Sequence, residues 1–176
     1  RFAELASHSF YDEEGHLRPA WRLFTRHRDP IQKVLVPDNE RLLSALSPFE
    51  RLYAWYWVNP ALLPPRERLE AGVRHPRVVG LKLHAYWYTF TLQDARPVFE
   101  LAQRTGKPIY FILGFNWMDP AVELLREFPT VHVIFGYGGF PYFDALWSAI
   151  RPHANARVDC ASFHLDQKIL RAAVKA

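Results

Sequence analysis

Two basic side chains stand two positions apart in an apolar run and carry the sharpest chemical signal in the sequence. Lys82 and His84 end the run Val78–His84, and residues two apart on a strand point to the same face. Leu81 and Leu83 need the buried face, so we expect the amine and the imidazole to project together toward the other face, a shared central cavity. Desolvated there, they would have shifted pKa values and could act as acid, base or anion clamp. The alternative is structural: both point toward covering helices, or His84 satisfies a loop carbonyl.

Polar residues also follow the other apolar runs. Ligands bind at the carboxyl ends of parallel strands, so these positions are candidates without any motif. They are Asp38, Asn39, Asn59, Asn116, Asp119, Tyr137, Asp159, Ser162 and His164. Gly138 and Gly139 beside Tyr137 would let a backbone approach a ligand or cradle an anion, although a tight turn explains them as well. A buried carboxylate is costly unless it is paired, so we expect Asp159 to face solvent at a sheet edge.

The elements that must position these residues alternate along the chain. Apolar runs typical of buried strands occupy 33–37, 52–58, 78–84, 108–113, 131–135 and 156–161. Helical segments follow them at 41–46 (capped by Asp38), 66–74, 92–105 (with a Thr91 and Asp94 capping box), 121–128, 141–150 and 167–176. This order predicts an α/β fold, a parallel sheet covered by helices.

Two architectures fit this pattern, an open doubly wound sheet and part of a (β/α)8 TIM-barrel-like fold. A complete barrel typically needs about 250 residues and eight strands. The 176 residues therefore predict about six βα units of a partial or truncated barrel in one domain, 1–176. Residues 1–32 are expected to be a loop-rich lead-in with one helix near 18–27.

Composition excludes several classes of protein. Apolar residues make up 49% and charged residues 23%, which is typical of a globular chain, and no apolar run approaches the length of a membrane span. The net charge of +4 is spread along the chain, so we expect no nucleic-acid partner. Cys160 is the only cysteine, which excludes an internal disulfide and a cysteine-rich zinc site and favours the cytoplasm.

The order of several phrases resembles the amidohydrolase-related family, TIM-barrel metal-dependent hydrolases and decarboxylases. The phrases are 51–60, the Val-Gly-x-Lys-x-His of 79–84, 100–102, 106–111, 127–129 and 133–139, and 169–173 resembles the helix before the family's last strand. The resemblance covers about three quarters of the chain. It implies the barrel fold, and it implies that the N-terminal and C-terminal strands of the barrel are missing here.

The resemblance also implies a divalent metal, zinc or manganese, whose ligands are not found in this chain. The family holds its metal with a His-x-His on the first strand, His at the ends of the fifth and often the sixth, and an Asp on the eighth. Ile112 and Tyr137 stand at the two strand ends where the later His residues would fall. Isoleucine cannot ligate a metal and neutral tyrosine is a poor zinc ligand, so the metal ligands stay unknown.

Two functions follow as hypotheses. The first is a hydrolase of C–N or C–O bonds, or a related decarboxylase, acting on a small aromatic or carboxylate-bearing molecule. Lys82 and His84 would then orient or protonate the substrate and Tyr137 would donate a hydrogen bond. The residues expected to contact the substrate are Trp57, Asn59, Tyr86, Trp87, Asn116 and Trp117.

The second hypothesis is a non-catalytic relative, a barrel that lost its metal ligands and acts as a binding or partner subunit. Ile112 favours this reading, whereas the polar pair Lys82 and His84 favours the enzyme. Under either hypothesis an incomplete barrel leaves two sheet edges unpaired, so we expect a homo-oligomer.

Overall fold

A computed structural model of the chain describes residues 36–161 and Arg171. Five strands form one parallel sheet in the order β1-β2-β3-β4-β5. They are β1 (Ala54–Trp57), β2 (Val78–His84), β3 (Ile109–Ile112), β4 (Val133–Phe135) and β5 (Ala156–Val158). The helices are α1 (Asn39–Leu46), α2 (Arg66–Val73), α3 (Leu92–Thr105), α4 (Met118–Glu127) and α5 (Asp144–Ile150), with short 3₁₀ turns at Pro60–Leu62 and Gly136–Gly139. The predicted α/β class is confirmed, and none of the described helices is long and apolar enough to cross a membrane.

The two faces of the sheet carry different side chains. Leu81, Leu83, Phe111 and Phe135 are fully buried on one face, in a core shared with the apolar sides of α3 and α4. The opposite face, called the site face below, carries the alternate residues of the same strands. The register aligns Trp57 with Lys82, Lys82 with Tyr110, and His84 with Ile112 in neighbouring strands.

A bulge at the start of β2 shifts which residues of this strand point into the core and which lie on the site face. Ala54 pairs with Val78, yet the next residue Trp55 pairs with Gly80, so Val79 is an extra residue in the strand. Val78 is 1% exposed, whereas Val79 is 38% exposed. A one-residue insertion reverses the alternation of faces. The bulge therefore lets Val78 enter the core while Gly80 and Lys82 lie on the site face.

The outer edge of β1 is held by a side chain of α1. The Asn39 amide donates to the Trp57 carbonyl at 2.8 Å, and its oxygen accepts the Trp57 N–H at 3.0 Å. Asn39 is 7% exposed. One amide side chain thus satisfies both backbone groups of an edge residue whose ring lies on the site face.

The predicted capping box of α3 is present. Thr91 Oγ1 accepts the Asp94 N–H at 3.2 Å, and the Asp94 carboxylate accepts the Thr91 N–H at 2.7 Å. We expect Thr91→Ala to lower the free energy of unfolding by about 1 kcal/mol, because the Asp94 N–H loses its side-chain acceptor. Urea unfolding measures this change, with Ser148→Ala on an exposed position of α5 as the control. Equal stabilities of the two variants would contradict the capping role.

Three predicted elements differ from the structure. Val36 and Pro37 are not in a strand, and the rest of the predicted strand 33–37 lies outside the described residues. The predictions for the lead-in 1–32, for Ser162 and His164, and for most of the helix 167–176 also lie outside them. The helix predicted for 141–150 begins only at Asp144, because the chain before it continues in a turn and Phe143 has a positive φ of 42°. The last strand ends at Val158 rather than at 161. Five of the six predicted strands are therefore present in the described part of the chain.

Candidate functional site

Lys82 lies on the site face between two aromatic rings. Its Nζ is 4.7 Å from the centroid of the Trp57 ring and 5.9 Å from that of Tyr110. The face of an aromatic ring attracts a cation electrostatically. None of the ion pairs within residues 36–161 involves Lys82. Partial burial lowers the pKa of Lys82 from its ordinary value. The ammonium group is thus desolvated without a carboxylate partner among the described residues.

His84 lies beside Lys82 in an aromatic surrounding. Its ring is stacked on that of Trp57 with centroids 6.0 Å apart, and the Trp87 ring lies 6.3 Å away. Burial, and next the positive charge of Lys82, lower the pKa of His84 to about 3. Its Nδ1 accepts the Trp87 N–H at 3.2 Å, which places the proton of the neutral ring on Nε2. His84 is therefore a neutral hydrogen-bond donor near pH 7.

The low pKa of His84 predicts a stability that falls in acid. Below about pH 6.5 an unfolded chain binds a proton on this imidazole that the folded chain does not bind until about pH 3. Folding therefore loses free energy as the pH falls through this window. Between pH 7.5 and 4.5 we expect wild type to lose about 2.5 kcal/mol more than His84→Gln, whose side chain does not titrate. Urea unfolding at the two pH values measures it, and parallel losses would contradict the neutral buried imidazole.

Tyr110 lies at the centre of the site face, on β3, although the sequence pattern did not single it out. Its hydroxyl donates to Asp159 Oδ2, and its ring packs against that of Trp55 with centroids 5.5 Å apart. Burial, and next the hydrogen bond to Asp159, raise the pKa of Tyr110. The alternation Ile109, Tyr110, Phe111 was the available signal, because it turns the phenol away from the core face.

Asp159 does not have the expected solvent-facing position. It is half-buried after β5, where Oδ2 accepts the Tyr110 hydroxyl and Oδ1 accepts the Tyr137 N–H at 2.8 Å. The Ala161 N–H also donates to Oδ1, at 3.3 Å. These hydrogen bonds offset the cost of removing a carboxylate from water. Tyr110 and Tyr137 lie 49 and 22 residues from Asp159 in the sequence, so a local pattern could not reveal these two partners.

Tyr137 occupies the turn that follows β4. Its φ of 57° lies in the left-handed region, which costs a residue with a side chain some strain. Asp159 holds this conformation, since its carboxylate accepts the N–H of Tyr137 and its backbone carbonyl accepts that of Gly138 at 3.0 Å. The glycine-rich segment is a tight turn that carries Tyr137 to the edge of the site face.

Three of the six residues predicted to contact the substrate, Trp57, Tyr86 and Trp87, surround His84. The rings of Tyr86 and Trp87 are 6.4 and 6.3 Å from the His84 ring. Trp87 also lies 6.0 Å from Trp57. These aromatic residues form one wall beside the Lys82 and His84 pair.

The other three predicted contacts lie elsewhere. Trp117 packs against Phe90 and Phe111 in the core, on the face opposite Lys82, because α4 begins there. Asn59 caps the turn Pro60–Leu62 and lines a cavity of about 260 Å³ between α1 and α2, which Trp57 also lines. Asn116 is exposed in the turn before α4, with a positive φ of 67°.

A divalent metal would lie at the strand ends of the site face. His84, Ile112, Tyr137 and Asp159 follow one another across β2 to β5, and only His84 and Asp159 are common ligands. Nowhere in residues 36–161 do three His, Cys, Asp or Glu side chains form a group able to hold a metal ion. A structural zinc takes four protein ligands and a catalytic zinc takes three. The described residues therefore do not fit the metal that the family resemblance implies.

Comparison with known proteins identifies the fold. No family model matches the chain, and no curated protein matches it. An uncharacterized TIM-barrel protein, Bb4693 from Bordetella bronchiseptica, is similar with a TM-score of 0.55 and 12% identity, over 69% of this chain and 48% of that one. Amidohydrolase 2 from Bifidobacterium longum subsp. infantis is similar with a TM-score of 0.55 and 14% identity, over 78% of this chain and 56% of that one.

The chain thus spans about half the length of these two solved structures. At such low identity the likeness shows fold alone. The five parallel strands and their helices correspond to part of the barrel, and the strand ends bearing Lys82 and His84 are the edge where ligands bind in parallel α/β folds. The barrel fold that the resemblance implies is confirmed: the chain has the architecture of a partial β/α barrel.

Proposed function

We propose that the chain forms the substrate-binding half of a hydrolase-like enzyme, acting on C–N or C–O bonds or removing a carboxyl group. Its substrate is a small molecule that carries a carboxylate next to an aromatic ring. The observation that carries the proposal is the Lys82 ammonium group, which lies between two aromatic faces without a carboxylate partner among the described residues. An anionic aromatic ligand supplies both the missing charge and a further ring.

Each part of the site has a role in this proposal. Lys82 pairs with the substrate carboxylate, and the rings of Trp57 and Trp87 pack against the aromatic part of the substrate. The neutral His84 donates from Nε2 to the substrate atom on which negative charge develops, which stabilises the transition state more than the ground state. Tyr137 is the proposed second hydrogen-bond donor.

A non-catalytic binding protein is the second candidate, and Ile112 favours it. This side chain is 1% exposed and pairs in register with His84, so an apolar group stands beside the imidazole at the end of the neighbouring strand. The same binding face would then recognise a ligand without converting it. The two candidates share the ligand and differ only in turnover.

One experiment separates these candidates. Benzoate binding is followed by tryptophan fluorescence, and conversion of N-benzoylglycine and 4-hydroxybenzoate is followed by chromatography, for wild type, His84→Gln and the control Ser148→Ala. We expect His84→Gln to retain benzoate binding and to lose turnover by about a hundredfold. Binding without turnover in wild type supports the non-catalytic candidate. Absence of benzoate binding in wild type contradicts both.

Location and assembly remain proposals. We propose a homo-oligomer, because β1 and β5 are each paired on one side only within residues 36–161. The single cysteine, Cys160, supports a cytoplasmic location. Size-exclusion chromatography at several concentrations tests the assembly, and a strict monomer would contradict it.

A further inference from the structure

We propose that the Lys82 ammonium group supplies the positive charge that a divalent cation supplies in metal-dependent hydrolases, so that this site binds its anionic ligand without a metal. The inference rests on the proposed function for the class of ligand, a small aromatic carboxylate. Three features of the described residues support a metal-free site: the filled space at the strand ends, the hydrogen bonds of the ligand atoms, and the electrostatics around Lys82.

The space at the ends of β3 and β4 is filled. A methyl group added at Gly136 would lie 2.8 Å from the Tyr110 hydroxyl oxygen and 3.0 Å from Cγ1 of Ile112. The phenol of Tyr110 thus passes directly over Gly136 on its way to Asp159. A metal between these strands needs several ligand atoms about 2 Å from its centre. Aromatic and aliphatic atoms already occupy that volume.

The two conventional ligand side chains of the site face are engaged in hydrogen bonds. Nδ1 of His84 accepts a backbone N–H. Both oxygens of Asp159 accept hydrogen bonds, Oδ2 from Tyr110 and Oδ1 from the N–H of Tyr137. Metal binding through Asp159 would release the Tyr137 turn from the contacts that hold its left-handed conformation. The donor set therefore favours the hydrogen-bonded arrangement over coordination.

The electrostatics of the site suit a monovalent cation that is part of the chain. The rings of Trp57 and Tyr110 attract an ammonium group through their faces, whereas zinc prefers nitrogen, sulfur and oxygen atoms as ligands. A divalent cation at His84 would lie close to the Lys82 charge, whose field already reaches the imidazole and disfavours its protonated form. Lys82 thus provides a positive charge at the site and repels a metal cation at His84.

The test uses the purified protein and two direct measurements of metal. Elemental analysis after purification without chelator is expected to show zinc and manganese far below stoichiometric amounts. Titration with zinc or manganese is expected to raise the melting temperature of wild type no more than that of His84→Gln, since only a ligand of the native state raises it. Stoichiometric metal, or a metal-induced rise in wild type that His84→Gln lacks, overturns the inference.

Benzoate binding supplies an independent readout. We expect its dissociation constant to be the same with and without excess EDTA. Loss of binding in EDTA, with recovery on adding zinc or manganese, overturns the metal-free site but leaves the proposed ligand class intact. A wild-type chain that binds no benzoate under either condition contradicts the proposed function and, with it, the role of Lys82. The two proposals therefore fail through different results.

Discussion

Replacing Lys82 by methionine is expected to weaken benzoate binding by about a hundredfold. The reason is that a charge-assisted hydrogen bond in a desolvated site contributes up to about 3 kcal/mol, and each 1.4 kcal/mol is a factor of ten in affinity. Methionine keeps an unbranched apolar side chain against the rings of Trp57 and Tyr110, so the aromatic wall stays filled. Fluorescence titration of both proteins with benzoate measures the change.

The matched control is Arg151→Met, which removes a positive charge from an exposed position after α5. It should bind benzoate within about twofold of wild type, because exposed charges are screened by salt. A fall in affinity shared by both variants would assign the effect to net charge. Unchanged affinity in Lys82→Met would show that Lys82 is not the anion-binding group.

Replacing Asn39 by alanine is expected to lower the free energy of unfolding by about 3 kcal/mol, the largest stability effect predicted for this chain. The substitution removes both hydrogen bonds to the backbone of Trp57, and each buried group left without a partner costs about 1–3 kcal/mol. Because Trp57 also lies over Lys82, benzoate affinity should fall together with stability. Urea unfolding and fluorescence titration measure the two effects.

Two further variants test whether the stability loss of Asn39→Ala comes from these two hydrogen bonds or from a change in the helix propensity of α1. Asn39→Asp keeps an acceptor for the Trp57 N–H and loses the donor to the Trp57 carbonyl, so its stability should lie between wild type and alanine. Ser44→Ala, on an exposed position of α1, should leave stability unchanged within about 0.5 kcal/mol. If Asn39→Ala is as stable as Ser44→Ala, the edge of β1 does not depend on this side chain.

The helices and central strands were predictable because their signals are local. The capping box of Thr91 and the glycine at position 106, with its φ of 65°, delimit α3 in the sequence as they do in the structure. The helix predicted for 141–150 ends where expected but begins three residues later, since the turn before Asp144 depends on the positive φ of Phe143. Such a turn is stabilised by its tertiary surroundings, which propensity does not describe.

The sequence by itself determined that Lys82 and His84 share a face, because alternation along a strand is fixed by backbone geometry and the flanking leucines require the core. Only the tertiary structure decided what surrounds them. Strand register brings Tyr110 next to Lys82, and Asp159 reaches Tyr110 across 49 residues of sequence. The same packing turns Trp117 into the core. Periodicity is a property of one segment, whereas register, bulges and turns depend on contacts between segments distant in the chain.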